Sequence, residues 1–526
     1  MARRPNFLLF ITDQHRADHL GCYGNTEVRT PHIDALAAQG CRFDDFHVAT
    51  PICQPNRASL MTGRLPSVHG LQMNGRELSL GERTFVETLR EAGYQTALVG
   101  KSHLQNITTL PTAWPGKGPR RPHEALRPYP GRYGQEVWQR WEEDPAHELE
   151  LPYYGFEQVA LTIGHADEQH GHWRRWLRQQ TPDADRLIGP AHAIPTPDLH
   201  LARIGHAWRT RVPEALYPTA YIAEQTCHAL DRMASAEQPF FIQCSFPDPH
   251  HPFTPPGRYW DLFRPDDVSL PASFHAELTD PPPPVQWLRE QRRHNPAFRP
   301  GYGSFACSEQ EAREAIALNH GSLANIDDHI GLVMARLRAL GLDEHTVVMF
   351  TSDHGDLLGE RGLMFKGGLH YPALTRVPFI WRDGAQAPAT AASAALTQTI
   401  DIAATVLERA GLEPTNGMQG ASLLPVVTGQ ASGVRQQLLI EEESQRSDFG
   451  MDRRVRMRTL RNHDHRLTVY DGQPWGELYD LRQDPLELRN LWADAASLPL
   501  RQSLMEQLAR AMLTAADTSP YPGAAA

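Results

Sequence analysis

The chain has 526 residues, 40% hydrophobic and 21% charged, an ordinary globular composition that excludes wholesale disorder. At this length one large domain with a smaller appendage, or two domains, is expected. Asp and Glu total 62 against 51 for Lys and Arg, and a formal net charge of −11 excludes a nucleic-acid backbone as the main partner.

The first apolar run, Phe7 to Ile11, is too short for a signal-peptide core and is followed at once by Asp13. No later stretch reaches the length of a membrane span, so no membrane partner is expected. The six cysteines stand far apart without Cys-x-x-Cys spacing. Neither a zinc site nor a disulfide framework is indicated, and a cytoplasmic protein is expected.

Four runs rich in Phe, Val and Ile predict strands: Asn6–Thr12, Gln95–Gly100, Phe240–Phe246 and Thr346–Ser352. Each is followed by reactive polar residues, namely Asp13-Gln14, Lys101-Ser102-His103, Asp248-Pro249-His250 and Asp353-His354. In open α/β sheets that carboxyl edge is where ligands bind. Helical periodicity predicts helices over Thr84–Ala92, closed by Gly93, and Leu323–Leu340, closed by Gly341. The predicted fold over residues 1–434 is therefore α/β, a large mixed central sheet sandwiched by helices. Residues 105–215, rich in Pro, Trp, Arg and His with little periodicity, read as a long insertion over the sheet edge, and Pro281–Pro284 as a stiff loop. Over 435–526, short alternating strands at Val455–Leu460 and His465–Tyr470, a turn at Asn462-His463-Asp464 and a helix near Leu498–Ala515 predict a small C-terminal antiparallel subdomain.

The sharpest signal is Cys53-Gln54-Pro55-Asn56-Arg57-Ala58-Ser59-Leu60-Met61-Thr62-Gly63-Arg64. Pro55 suits the first turn of a helix, and a cysteine at a helix N-terminus has a lowered thiol pKa in a place that attracts anions. A lone Cys there is more often a buried structural residue. The full string, however, resembles the signature of the sulfatase family, the formylglycine-dependent branch of the alkaline phosphatase superfamily. That resemblance implies an alkaline phosphatase-like fold and conversion of Cys53 to formylglycine, whose hydrated aldehyde is the nucleophile. It also implies a formylglycine-installing enzyme as partner.

The resemblance extends to the other strand ends. Asp13, Gln14, Asp353 and His354 look like the family's four ligands to one divalent metal, Ca2+ or Mn2+ given carboxylate, amide and imidazole donors. Gln14 and His354, where many sulfatases have Asp and Asn, resemble the phosphonate monoester hydrolase and choline-sulfatase branches. Gly100-Lys101-Ser102-His103-Leu104 is similar to the element in which the lysine bridges nucleophile and sulfate and the histidine assists breakdown of the covalent intermediate; this pair favours a sulfatase. Pro249-His250-His251-Pro252 resembles the element that supplies the general acid, which places His250 in that role and leaves His251 structural. Lys366 matches a second lysine on the transferred group, and Arg57 is expected to hold the nucleophile. Asn74 matches in spacing a substrate-contacting asparagine of the phosphonate branch. Glu477-Leu478-Tyr479-Asp480-Leu481 with Asn490-Leu491 resembles the closing motif of the family's C-terminal sheet.

The resemblance thus implies a sulfuric ester hydrolase acting on small or aryl sulfates, with a phosphonate monoester or phosphodiester hydrolase as the alternative, and a homo-oligomer, dimer or tetramer. A two-metal phosphatase is disfavoured because no second ligand cluster is legible and the nucleophile position is Cys.

Overall fold

The computed structural model describes residues 4–112, 124–295, 301, 303–445, 449–451 and 453–524; the stretch 113–123 of the expected insertion lies outside them. The strand Asn6–Thr12 is apolar at nearly every position, and all seven of its residues are buried. Successive strand side chains point to opposite faces, so such a run is stable only between two apolar layers. Phe7, Leu9 and Ile11 enter one core cluster and Leu8 and Phe10 another. Val347 and Met349 repeat the first choice, Val348 and Phe350 the second. Each fully buried Phe or Leu on such a strand contributes roughly 1.5–3 kcal/mol.

The strands form a nine-stranded mixed sheet. Its centre is five parallel strands in the order Thr346–Ser352, Asn6–Thr12, Phe240–Ser245, Gln95–Lys101 and Gln158–Ile163. Phe379–Asp383 adds antiparallel on one side, followed by Cys41–Phe43 and Ala392–Ser393, and His170–Gly171 closes the other. One face is covered by helices that include Cys53–Thr62, Phe85–Glu91 and Asp401–Arg409, the other by Pro31–Gln39, Pro218–Ala234 and Glu309–Ala339. Toward the C-terminus, Gln437–Glu443, Arg456–Asn462, His465–Tyr470 and Gly476–Asp480 make an antiparallel four-stranded sheet. The helix Leu498–Thr514 packs Leu504 and Leu508 against its Leu439, Leu460 and Leu467.

Three expectations are corrected. The stretch 105–215 is more than an insertion over the edge, because Gln158–Ile163 is an integral parallel strand of the sheet. Pro283–His294 is a helix where a stiff loop was expected, since its two prolines occupy the first turn, where no N–H is needed. The helix expected from Leu323 begins at Glu309, with Ser308 and Glu311 forming a reciprocal capping box. Its first half was hidden because Asn319, His320 and Gly321 interrupt the apolar pattern, yet all three are buried. A Cβ at Gly321 would lie 2.3 Å from the Tyr259 carbonyl oxygen, so the polar-looking stretch is a close-packed contact. Among the described residues no helix is long and apolar enough to cross a membrane.

Candidate active site

All five parallel strands end at one place. Asp13 and Gln14 follow the first strand, Asp353 and His354 follow Thr346–Ser352, Lys101 ends Gln95–Lys101 with His103 beyond it, and Asp248 to His250 follow Phe240–Ser245. The fifth strand, Gln158–Ile163, delivers His165. Close strand packing makes this convergence possible. Gly100 has φ +100°, and a Cβ there would fall 1.9 Å from the Ser245 carbonyl oxygen.

The helix Cys53–Thr62 starts beneath this edge, all ten residues buried, with Gly63 in the left-handed conformation at its C-terminal end. Asn74 sits at its N-terminus, where its Oδ1 accepts from the Gln54 N–H at 3.3 Å. Asn56 bonds the Asp353 carbonyl at 2.6 Å and the Ala49 N–H at 3.0 Å, fixing the helix to the loop after Thr346–Ser352. Arg57 donates to Asp353 Oδ2 (2.8 Å), Ser245 Oγ (2.9 Å) and the Lys101 carbonyl (3.1 Å), with Nη2 3.7 Å from Asp13. It therefore ties four strand ends together from below, and its charge offsets two buried carboxylates.

Lys366 reaches in from the loop after Leu363–Met364. Its Nζ donates to Cys53 Sγ (3.1 Å), His250 Nε2 (3.0 Å) and His354 Nε2 (2.8 Å). Burial alone would raise the Cys53 thiol, but Lys366 and Lys101, with a hydrogen bond from His103, hold it well below the usual thiol range. Lys101 donates to Asp13 and, at 2.9 Å, to His165. Burial would raise the Asp13 carboxyl; Lys101, His250 and Arg57 hold it well below the usual carboxylate range. His250 donates from Nδ1 to the His251 carbonyl, which leaves Nε2 facing the site. Burial, then Lys366, lowers its pKa.

The acidic end of the site suits a cation. Ligand atoms of Asp13, Cys53, Asp353 and His354 all lie within 4.8 Å of one another, and all four residues are buried. Asp13 Oδ1 and Gln14 Oε1 are buried without hydrogen-bond partners, an arrangement that costs free energy unless something positive meets both oxygens. Gln14 is held in a left-handed conformation (φ 60°), with its N–H on Asp353 Oδ1 at 3.1 Å and its side-chain amide nitrogen on His251 Nδ1 at 3.0 Å and on Asp356. That orientation leaves the Gln14 carbonyl oxygen as the free donor. Carboxylate, amide and imidazole groups in this number fit a single divalent ion.

Three participants escaped the sequence reading. His251, read as structural, orients the Gln14 amide. Glu136, inside the stretch read as an insertion, accepts from the backbone N–H groups of His103 (2.8 Å), Leu104 (3.0 Å) and Gln105 (3.0 Å) and from Tyr153 Oη (2.5 Å). His165 joins Asp13 and His250 in a second set of ligand-bearing groups, which corrects the expectation that none exists. The Lys101 ammonium already bonds two members of that set. The signal that could have found His165 was the Val-Ala-Leu-Thr-Ile run before it, a strand pattern hidden among Trp- and Arg-rich neighbours.

Comparison with known proteins gives the family. The sulfatase family model matches residues 5–412, and a model of the N-sulphoglucosamine sulphohydrolase C-terminal region matches 359–514, spanning the boundary expected at 434. An arylsulfatase of Clostridium perfringens is 24% identical, over 93% of this chain and 90% of its own. A choline-sulfatase of Rhizobium meliloti is 25% identical, over 93% and 82%. Among solved structures, a phosphonate monoester hydrolase of Agrobacterium radiobacter superposes with a TM-score of 0.76 at 25% identity, covering 98% of this chain and 97% of that one.

Proposed function

The chain belongs to the sulfatase family, and from that premise we propose that it hydrolyses small or aryl sulfate monoesters with formylglycine at position 53 and one divalent cation, Ca2+ or Mn2+. The observation that carries the reading is the meeting of Cys53, at a buried helix N-terminus, with two lysines and the Asp13, Asp353 and His354 cluster. Formylglycine would supply a hydrated aldehyde as nucleophile, and a cation held by Asp13, Gln14, Asp353 and His354 would supply positive charge against the anionic ester oxygens. The modification calls for a formylglycine-installing enzyme as partner.

The remaining work falls to the chain's own side chains. Lys101 and Lys366 bring two ammonium groups to where negative charge builds in the transition state, in a buried setting that strengthens them. His250, with Nδ1 fixed on a backbone carbonyl, presents Nε2 to the Lys366 ammonium, and a proton taken from it there would pass to the departing oxygen. His103, which lowers the pKa of the thiol at position 53, would take a proton there. Arg57 keeps the carboxylates of Asp13 and Asp353 in register with the helix that carries residue 53.

Gln14, His354 and Asn74, with the likeness to the phosphonate monoester hydrolase, support a second reading in which phosphonate monoesters and phosphodiesters are turned over by the same groups. Sulfate monoesters, phosphonate monoesters and phosphodiesters each carry one negative charge near neutral pH, whereas phosphate monoesters carry nearly two. The test is kcat/KM for one aryl leaving group on all four esters, with peptide mass mapping of residue 53. Sulfate is expected first, the two singly charged phosphorus esters slower, and the phosphate monoester last. A preference for the phosphonate would overturn the sulfatase assignment in favour of the second reading.

A further inference from the structure

His165 stands on a rigidly built turn. Gly164 has φ 101° and Ala166 φ 55°, and a non-glycine residue in that region costs roughly 1–2 kcal/mol. Strain of this kind persists only where surrounding contacts hold it. Here Asp167, fully buried, accepts from the Gly189 N–H (3.1 Å), Trp208 Nε1 (3.0 Å) and Thr210 Oγ1, while the Gln169 amide holds the Ala166 carbonyl at 2.9 Å.

What the turn presents is one imidazole whose face meets His250 and whose Nε2 meets Lys101 and, at 3.5 Å, Asp13 Oδ2. Its ring lies flat on the His250 ring, with centroids 3.7 Å apart and planes 14° apart. On the opposite side His250 meets His251 at 4.4 Å, and His251 meets Phe365 at 3.5 Å, so four rings form one column. His165 caps the column at its more open end, its side chain 15% exposed where the three other residues are nearly or wholly buried. Its Nε2 accepts from the Lys101 ammonium at 2.9 Å, because an ammonium has no acceptor to offer.

We propose that His165 is a positioning residue of the hydrolytic site, fixing the plane of His250 through its ring face and the ammonium of Lys101 through its Nε2. The inference rests on the proposed roles of His250 and Lys101 but is tested separately from them. The ring face and the Nε2 atom can be removed one at a time: His165→Phe keeps a flat ring and loses the polar atom that meets Lys101 and Asp13, and His165→Gln keeps an acceptor and loses the ring.

The experiment measures kcat and KM for wild type and both variants on aryl sulfates whose phenols span a range of acidity, with circular dichroism and Tm as the check on folding. A misaligned general acid matters most when the leaving group is poor. His165→Gln should therefore lose about tenfold in kcat on the least acidic phenols and no more than about twofold on the most acidic. His165→Phe should lose about tenfold across the whole series, since the charge from Lys101 is needed with every leaving group. Variants that both stay within about twofold of wild type would overturn the inference. So would equal losses in both, independent of leaving group, which is the mark of a merely structural residue. A wild type that prefers aryl phosphonates would sink the sulfatase assignment alone; the same variants would then be compared on phosphonates, with the same outcomes expected.

Discussion

Glu136 offers the most direct test of how the loop that carries His103 is held. Its two carboxylate oxygens accept three successive backbone N–H groups and the Tyr153 hydroxyl, and the residue is 1% exposed. The loop it gathers carries His103 at φ 60°, a conformation costing roughly 1–2 kcal/mol that the cradle must outweigh. In Glu136→Gln, one oxygen becomes an NH2 group, so a donor faces a donor on one side and the remaining bonds lose their charge assistance. An unsatisfied buried donor costs about 1–3 kcal/mol and each lost charge assistance somewhat less, so about 3 kcal/mol of stability should go. At about 2.1 cal/mol/K per residue, 526 residues give an unfolding entropy near ~1.1 kcal/mol/K, and the loss becomes a Tm decrease of only about 3 °C. Activity is the more sensitive readout. With His103 released from a fixed loop, kcat should fall by about tenfold or more while KM changes little. Differential scanning calorimetry and steady-state kinetics on an aryl sulfate would measure both. A Tm within 1 °C of wild type together with unchanged kcat would refute the reasoning.

Three further outcomes are expected. Cys53→Ala should fold and bind cation yet lose turnover by several orders of magnitude, and peptide mapping of fully active wild type that found only unmodified Cys53 would sink the formylglycine assignment. Asp353→Asn removes a charge that Arg57 and a cation share, so metal affinity measured by titration calorimetry should drop at least about tenfold; unchanged affinity would remove Asp353 from the ligand set. Far from the site, Asp327 accepts from the His32 and Ile33 N–H groups, and burial pushes its carboxyl up to about 7. A carboxyl raised in the folded state contributes stability that is complete below its unfolded value near 4 and lost as pH rises through about 7. The Tm difference between Asp327→Asn and wild type should accordingly move in favour of the variant by ~3–4 °C from pH 4 to pH 8, and a difference that does not move with pH would contradict this.

The sequence by itself determined whatever is written in contiguous residues. The strands Asn6–Thr12 and Thr346–Ser352 are continuous apolar runs, and a run buried on both faces needs no partner to be recognised. The polar pairs after four of the strands were legible because a parallel sheet places its reactive residues just beyond each carboxyl end, and the Cys53–Arg64 string carries its own spacing. Tertiary structure alone decided what depends on contacts between distant segments. Gln158–Ile163 becomes a strand because Gln95–Lys101 offers it an open edge, and only that pairing brings His165 to Lys101 and His250. Glu136 has no local pattern at all; its role exists because a buried carboxylate must find donors, and three N–H groups about thirty residues away need an acceptor. The left-handed conformations of Gln14, His103, Ala166 and Phe365 are invisible in composition for the same reason. Local propensity opposes each of them, and only the packing of the whole sheet edge supplies the free energy to hold them there.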